Sequence, residues 1–198
     1  MALLVLAGCA HDPKVAATVD GQAVSTGDVA IFANFLCANT QVGSTQVVPM
    51  ATVNQVAVTY LAGTKAVESF ARAKNLTLGP VTTPPSAALQ KLPQAEQVRA
   101  QELINEVSAA VQALPLLPGV KSSAVSTDQV PALFALALEQ AQSKGQVVSN
   151  PAYPVLSRSG ETSGSLSAPV SDAATALTEA TTASDYLAAL PVGQKCSQ

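Results

Sequence analysis

The fold is decided by the stretch VAATVDGQAVSTGDV, which runs from Val15 to Val29. Two apolar runs flank the dipeptide Asp20-Gly21, which supplies the positive φ angles of a type I′ hairpin turn. Ser25 then opens a sequence that resembles a capping box, with an acid in the first turn of the helix that follows. The stretch therefore predicts a small β-hairpin over about residues 15–24 that continues directly into a helix.

Downstream, apolar residues recur at helical spacing, which predicts a mostly α fold. The predicted long helices run from Ser25 to about Asn39, from Met50 to Asn75, from Gln94 to Leu114 and from the Ser126 cap to Lys144. The apolar side of the third carries Val98, Leu103, Ile104, Val107 and Val111. We also expect a short helix near residues 86–92, a returning strand at about 147–150, a mobile loop over about 153–171 and short helices beyond it. These elements form one predicted domain over residues 15–198.

The composition is that of a folded domain with few charges. Hydrophobic residues make up 48% of the chain and charged residues only 12%, about half the usual share. We therefore expect the helices to be stabilised by alanine propensity and packing rather than by ion pairs. A net charge of −3, with ten scattered basic residues and no tryptophan, leaves no basic patch or stacking platform, so no nucleic-acid partner is predicted.

The N-terminus carries an export signature. Leu6-Ala7-Gly8-Cys9 closes a short apolar run and matches a bacterial lipobox, in which the cysteine is acylated and the peptide is cut before it. No Lys or Arg precedes the run, although signal peptides begin with a charged segment. We interpret residues 1–8 as the remnant of a truncated lipoprotein signal, Cys9 as the lipidation site and residues 9–14 as a lipidated tether. The alternative is an ordinary buried N-terminal strand. The first interpretation predicts an extracytoplasmic protein anchored to the cell membrane.

The other two cysteines form a candidate pair. With Cys9 assigned to lipid, Cys37 and Cys196 remain in an oxidising compartment, which favours a disulfide between them. The alternative is two unrelated small buried side chains.

No residue set identifies a reaction. The one histidine, His11, lies in the tether, which disfavours a histidine-based triad, a zinc site and a cysteine–histidine nucleophile. The closest carboxylates, Glu96, Glu102 and Glu106, are expected to solvate the exposed face of a helix, and a carboxylate-pair hydrolase stays formally open. We therefore predict no catalytic residue, no metal and no cofactor.

Both ends of the chain resemble a known family. The hairpin-to-helix stretch at 15–29 is similar to the start of the SurA and PrsA chaperones, V-x-G-x-x-I-[ST]-x-x-[ED]-[VL]. The segment from Val147 to Tyr153 resembles a divergent V-x-V-N-P-R-Y-G of the same group, as found in exported lipoproteins of high-GC Gram-positive bacteria. Residues 166–172 and 186–196 resemble that group's final segments.

The resemblance implies the helical chaperone module without the parvulin prolyl isomerase, because the internal histidines and the room for that domain are missing. Such a module would hold unfolded or partly folded exported proteins on a shallow apolar surface, for which Phe32, Tyr60 and Phe134 are the candidates; the alternative is that each is core. The predicted function is that of a lipid-anchored holdase or folding factor without catalysis. An adaptor lipoprotein that binds one envelope partner is the alternative, and an isomerase or hydrolase is a third, less favoured one.

Overall fold

The computed structural model describes residues 12–40, 48–121, 125–153, 155 and 190–196. The predicted signal remnant, the lipidation site Cys9, His11, most of the loop over 153–171 and the helices expected beyond it lie outside the described residues. The elements in chain order are β1 (Val15–Val19), β2 (Gln22–Ser25), α1 (Thr26–Thr40), β3 (Val48–Pro49), α2 (Met50–Ala73), α3 (Ala87–Gln90), α4 (Gln94–Ala113), α5 (Val130–Gln142), β4 (Val147–Ser149) and β5 (Lys195–Cys196).

The predicted fold class is confirmed: the protein is mostly helical, with a small antiparallel sheet. β1 pairs with β2 through the turn at Asp20 and Gly21, whose φ angles of 50° and 76° are those that the dipeptide favours. The predicted returning strand is β4, which pairs with the other edge of β1 and places Val147 opposite Val19. Ser25 begins α1 as expected, because its Oγ accepts a hydrogen bond from the Asp28 amide at 2.9 Å.

The central element is α2, against which α1, α4, α5 and the hairpin all pack. A helix with so many neighbours needs more than one apolar face, and α2 buries both branched residues and a run of small ones. Val58 and Val67 are fully buried, as are Ala57 and Ala62. The helix ends at the left-handed Asn75, with φ of 55°, and the Leu76 amide bonds back to the Ala71 carbonyl at 2.8 Å, a common C-terminal motif.

The C-terminal residues are tied to the start of the helical domain. β5 pairs with β3 in a second, two-stranded sheet that the sequence did not predict. Cys37 of α1 and Cys196 of β5 form a disulfide across a sequence separation of 159, with Cα atoms 5.5 Å apart. Cys196 is fully buried and belongs to the core, whereas residues 191–194 before it are exposed.

One predicted core residue is on the surface. Val98 was assigned to the apolar side of α4, but 70% of it is exposed. The buried side of α4 carries Ala100, Leu103, Val107 and Ala110. At 100° per residue, Val98 stands about 200° from Ala100 and faces away from that side. The assignment of Val98 to the core is therefore wrong.

Candidate functional site

The aromatic residues predicted as a client-binding surface form an internal row. Phe32 is 2% exposed and Phe134 is fully buried. Tyr60 lies half-buried between them, with its ring centroid 6.0 Å from that of Phe32 and 5.3 Å from that of Phe134. α1 and α5 both pack against α2, which turns the two phenylalanines toward the tyrosine, and burial raises the pKa of Tyr60. The prediction of a surface role for Phe32 and Phe134 is wrong, because helix packing uses these rings as core.

The structure offers a different candidate, a cleft of about 730 Å³ between α2 and α4. Its third wall is the segment from Leu76 to Val81, which leaves the end of α2 without regular structure; we call this segment the strap. A groove of about 540 Å³ beside α5 is bordered by residues that flank the undescribed positions 122–124. The cleft between α2 and α4 is therefore the better-defined site.

The strap side of the cleft is apolar, whereas the two helices contribute both apolar and charged side chains. The strap contributes Leu76, Leu78, Pro80 and Val81, and the helices contribute Ala71 and Ala109. Leu76 is 39% exposed, whereas Leu78 packs against the main core. The side that the strap turns to the cleft is thus apolar but open to solvent, as in sites that bind apolar groups.

Just beyond the strap, Thr83 is fastened to α4 by the side chains of Gln101 and Asn105. The Oδ1 of Asn105 accepts hydrogen bonds from the Thr83 amide at 3.0 Å and from the Thr83 hydroxyl at 2.7 Å. The Nε2 of Gln101 donates to the same Asn105 oxygen at 3.0 Å and to the Thr83 carbonyl at 3.1 Å. This polar cluster, Thr83-Gln101-Asn105, fastens the chain just beyond the strap to α4.

From Thr77 onward, the main chain of the strap makes no hydrogen bond to other described residues. Within the described part of the chain, the backbone groups of residues 77–82 neither donate nor accept a hydrogen bond. Most of these residues are exposed, with Leu78 and Val81 half-buried. An irregular segment beside an apolar cleft, with free main-chain donors and acceptors, has the chemistry that peptide-binding edges use.

A network of charges runs beside the cleft, and its members Glu68, Glu102 and Glu106, which line the cleft, form an acidic rim. On α4, Arg99 donates from Nε and Nη2 to the two carboxylate oxygens of Asp28, at 2.8 and 3.1 Å, and from Nη1 to Glu102 at 2.9 Å. On α2, the Nζ of Lys65 lies 3.1 Å from Glu106 of α4. Lys65 also contacts Glu68, at 3.3 Å. The network joins α1, α2 and α4, so ion pairs accompany the alanine propensity and packing that were expected to stabilise these helices.

The hydrogen bonds of this network shift two pKa values. The guanidinium of Arg99 lowers the pKa of Asp28, and the Ser25 contact adds to that effect against the opposing burial. The Asp28 and Glu102 carboxylates raise the pKa of Arg99. Both groups are therefore firmly charged at neutral pH.

Glu96, Glu102 and Glu106 were predicted to lie on an exposed helix face, and of the three only Glu102 is exposed. Glu102 is exposed, but Glu106 is half-buried and bridges to α2. Glu96 accepts a hydrogen bond from Asn34 of α1 at 3.3 Å and does not line the cleft. Two of the three thus belong to the rim. What sequence reasoning missed was the strap, and its signal was the largely apolar stretch between the end of α2 and Pro84-Pro85.

No family model, curated protein or solved structure matches the chain. Among the described residues, no group of three histidine, cysteine or acidic side chains could bind a metal ion. Among the helices described, none has both the length and the apolar character to cross a bilayer. What the arrangement can do chemically is bind a chain in the cleft, through an apolar lining, free backbone groups and an acidic rim.

Proposed function

We propose that the protein is an extracytoplasmic, lipid-anchored chaperone-like factor that holds extended segments of exported polypeptides and catalyses no reaction. The observation that carries this proposal is the cleft with its unpaired strap. The lipobox at Cys9 and the resemblance of both chain ends to the SurA and PrsA family support it from the sequence.

In this proposal an extended client segment lies along the strap. Its backbone would bond to the free carbonyls of residues 77–82 and to their amides, except at Pro80, which has no N–H. Its apolar side chains would enter the cleft, which is the division of roles found when a peptide adds to an exposed edge. The volume of about 730 Å³ lies within the range of sites that enclose small ligands or short peptide segments. Such a site would hold one short segment of a client and release it readily.

The lipid on Cys9 would keep this cleft near the membrane surface. Each buried methylene of an acyl chain contributes about 0.8 kcal/mol, so more than one chain is needed for firm attachment. The tether to β1 is short, and clients would therefore meet the cleft as they emerge from the membrane.

Suppression of client aggregation tests the proposal. The full chain in molar excess should slow the aggregation of a chemically unfolded client, as followed by light scattering. Leu76→Asp should weaken the effect, because it places a charge on the apolar wall of the cleft. Val98→Asp is the matched control, since Val98 is exposed on α4 and does not line the cleft.

Two results would overturn the proposal. One is no suppression at any molar excess. The other is equal suppression by the wild type and Leu76→Asp. Capture of a single envelope protein without any suppression would instead favour the adaptor lipoprotein.

A further inference from the structure

We propose that the cleft selects extended segments in which a basic side chain accompanies the apolar ones. This inference rests on the proposed function and adds a class of client to it. It is carried by the charges of the rim and by where they stand relative to the apolar wall.

The rim carries more negative than positive charge. Of the charged residues that line the cleft, Glu68, Glu102 and Glu106 are acidic and Arg72 is basic. Three carboxylates against one cation leave a net charge of −2. Arg72 pairs with Asp20 at 3.2 Å, and Lys65 and Arg99, which pair with the three acids, do not line the cleft.

The acids stand on both long walls of the cleft. Glu68 belongs to α2, whereas Glu102 and Glu106 lie one turn apart on α4. The cations that pair with these acids are shared. Arg99 donates to Asp28 from two of its nitrogens and to Glu102 from the third. Lys65 pairs with both Glu68 and Glu106. A lysine or arginine of a bound segment would therefore meet carboxylates that are only partly compensated.

Exposure decides which acid is most available. The side chain of Glu102 is 56% exposed, against 28% for Glu68 and 35% for Glu106. Ion pairs at such solvent-accessible positions are weak, and each changes affinity by about two- to fivefold. Selection by charge is therefore moderate. The apolar wall supplies the affinity that all bound segments share, whatever their charge.

Three labelled peptides test this inference. They share one apolar core and differ only in a flanking residue, which is Lys, Gln or Glu. Fluorescence anisotropy with the full chain at low ionic strength should give affinity in the order Lys, Gln, Glu, with about tenfold between the extremes. The difference should shrink at about 0.5 M salt, because exposed charges are screened.

A matched pair of variants tests whether the preference for the Lys peptide depends on Glu102. Glu102→Gln should reduce the preference for the Lys peptide over the Glu peptide by about two- to fivefold. Glu96→Gln makes the same charge change on the same helix but outside the cleft, and it should leave the preference intact. Equal loss in both variants would assign the preference to net charge and overturn the inference.

The remaining outcomes separate the two proposals. Equal binding of all three peptides would overturn charge selection and leave the proposed function standing. Absence of binding by any peptide would overturn the proposed function, and charge selection with it.

Discussion

Phe134 of α5 occupies the space where a side chain at residue 63 of α2 would stand. A Cβ built on Gly63 would lie 2.6 Å from the Cβ of Phe134 and 2.7 Å from its Cδ1, closer than non-bonded carbon atoms approach. Glycine inside a helix costs about 1 kcal/mol relative to alanine. Here the missing side chain lets α5 approach α2 closely enough to bury the Phe134 ring completely.

Gly63→Ala should therefore destabilise the protein. The added methyl group forces Phe134 or the helix axes to shift, and overpacking of this kind costs about 1–3 kcal/mol, more than the gain in helix propensity. Gly27→Ala is the control, because a Cβ there would meet only the Ser25 Oγ, at 3.7 Å. Urea denaturation should show a lower free energy of unfolding for Gly63→Ala alone. Equal stability of the two variants would contradict the close contact.

The long helices and the hairpin could be predicted because their signals are local. Asp20-Gly21 specifies its turn and Ser25 caps α1, so neither depends on distant contacts. The same logic failed for Val98, since the width of the apolar face of α4 is set by which neighbours pack against it. The prediction that Phe32 and Phe134 lie on the surface failed for a related reason. The sequence pattern of an apolar helix stripe is the same whether or not another helix covers it.

The candidate site could not be predicted, because it is formed by tertiary placement. The strap has no periodicity, and its role follows from the hydrogen bonds that fasten Thr83 to Asn105 across two connections. The partners of Arg99 lie on two helices, and no spacing in the sequence joins Asp28 to that arginine. The pairing of β3 with β5 is only two residues long, too short to produce a pattern.

Reduction of the Cys37–Cys196 disulfide should lower stability by about 2–4 kcal/mol, because opening this long loop restores entropy to the unfolded chain. The measurement is urea denaturation with and without a phosphine reductant. A Cys37→Ala/Cys196→Ala double variant should be destabilised and should not respond to the reductant. Mass mapping without reduction checks the linkage itself, and a free Cys37 thiol in protein prepared under oxidising conditions would refute it.

Asp28 should make stability depend on acid pH. The Arg99 hydrogen bonds lower the pKa of Asp28 in the folded state below its ordinary value of 3.8. The stabilisation is therefore complete above that value, and it is lost as the pH falls through the lower folded pKa.

Asp28→Asn should cost about 1 kcal/mol at pH 6, given the partial exposure of the pair. The stability difference from the wild type should narrow as the pH falls below about 4. Thermal unfolding between pH 6 and pH 2.5 measures it. Asp128→Asn, at an exposed acid outside the network, is the control and should show a smaller dependence. A difference that widens on acidification would contradict the assignment.

The strap should loosen when its fastening is cut. Asn105→Ala removes the oxygen that accepts from the Thr83 amide, the Thr83 hydroxyl and Gln101. These donors lose their acceptor and must bond to water instead, so we expect the free energy of unfolding to fall by about 1–2 kcal/mol. Hydrogen exchange at the Thr83 amide, which loses its acceptor, should accelerate well beyond that global effect. Asn34→Ala is the control, since Asn34 is exposed and donates one 3.3 Å bond to Glu96. Exchange at the Thr83 amide that is the same in both variants would contradict the fastening role of Asn105.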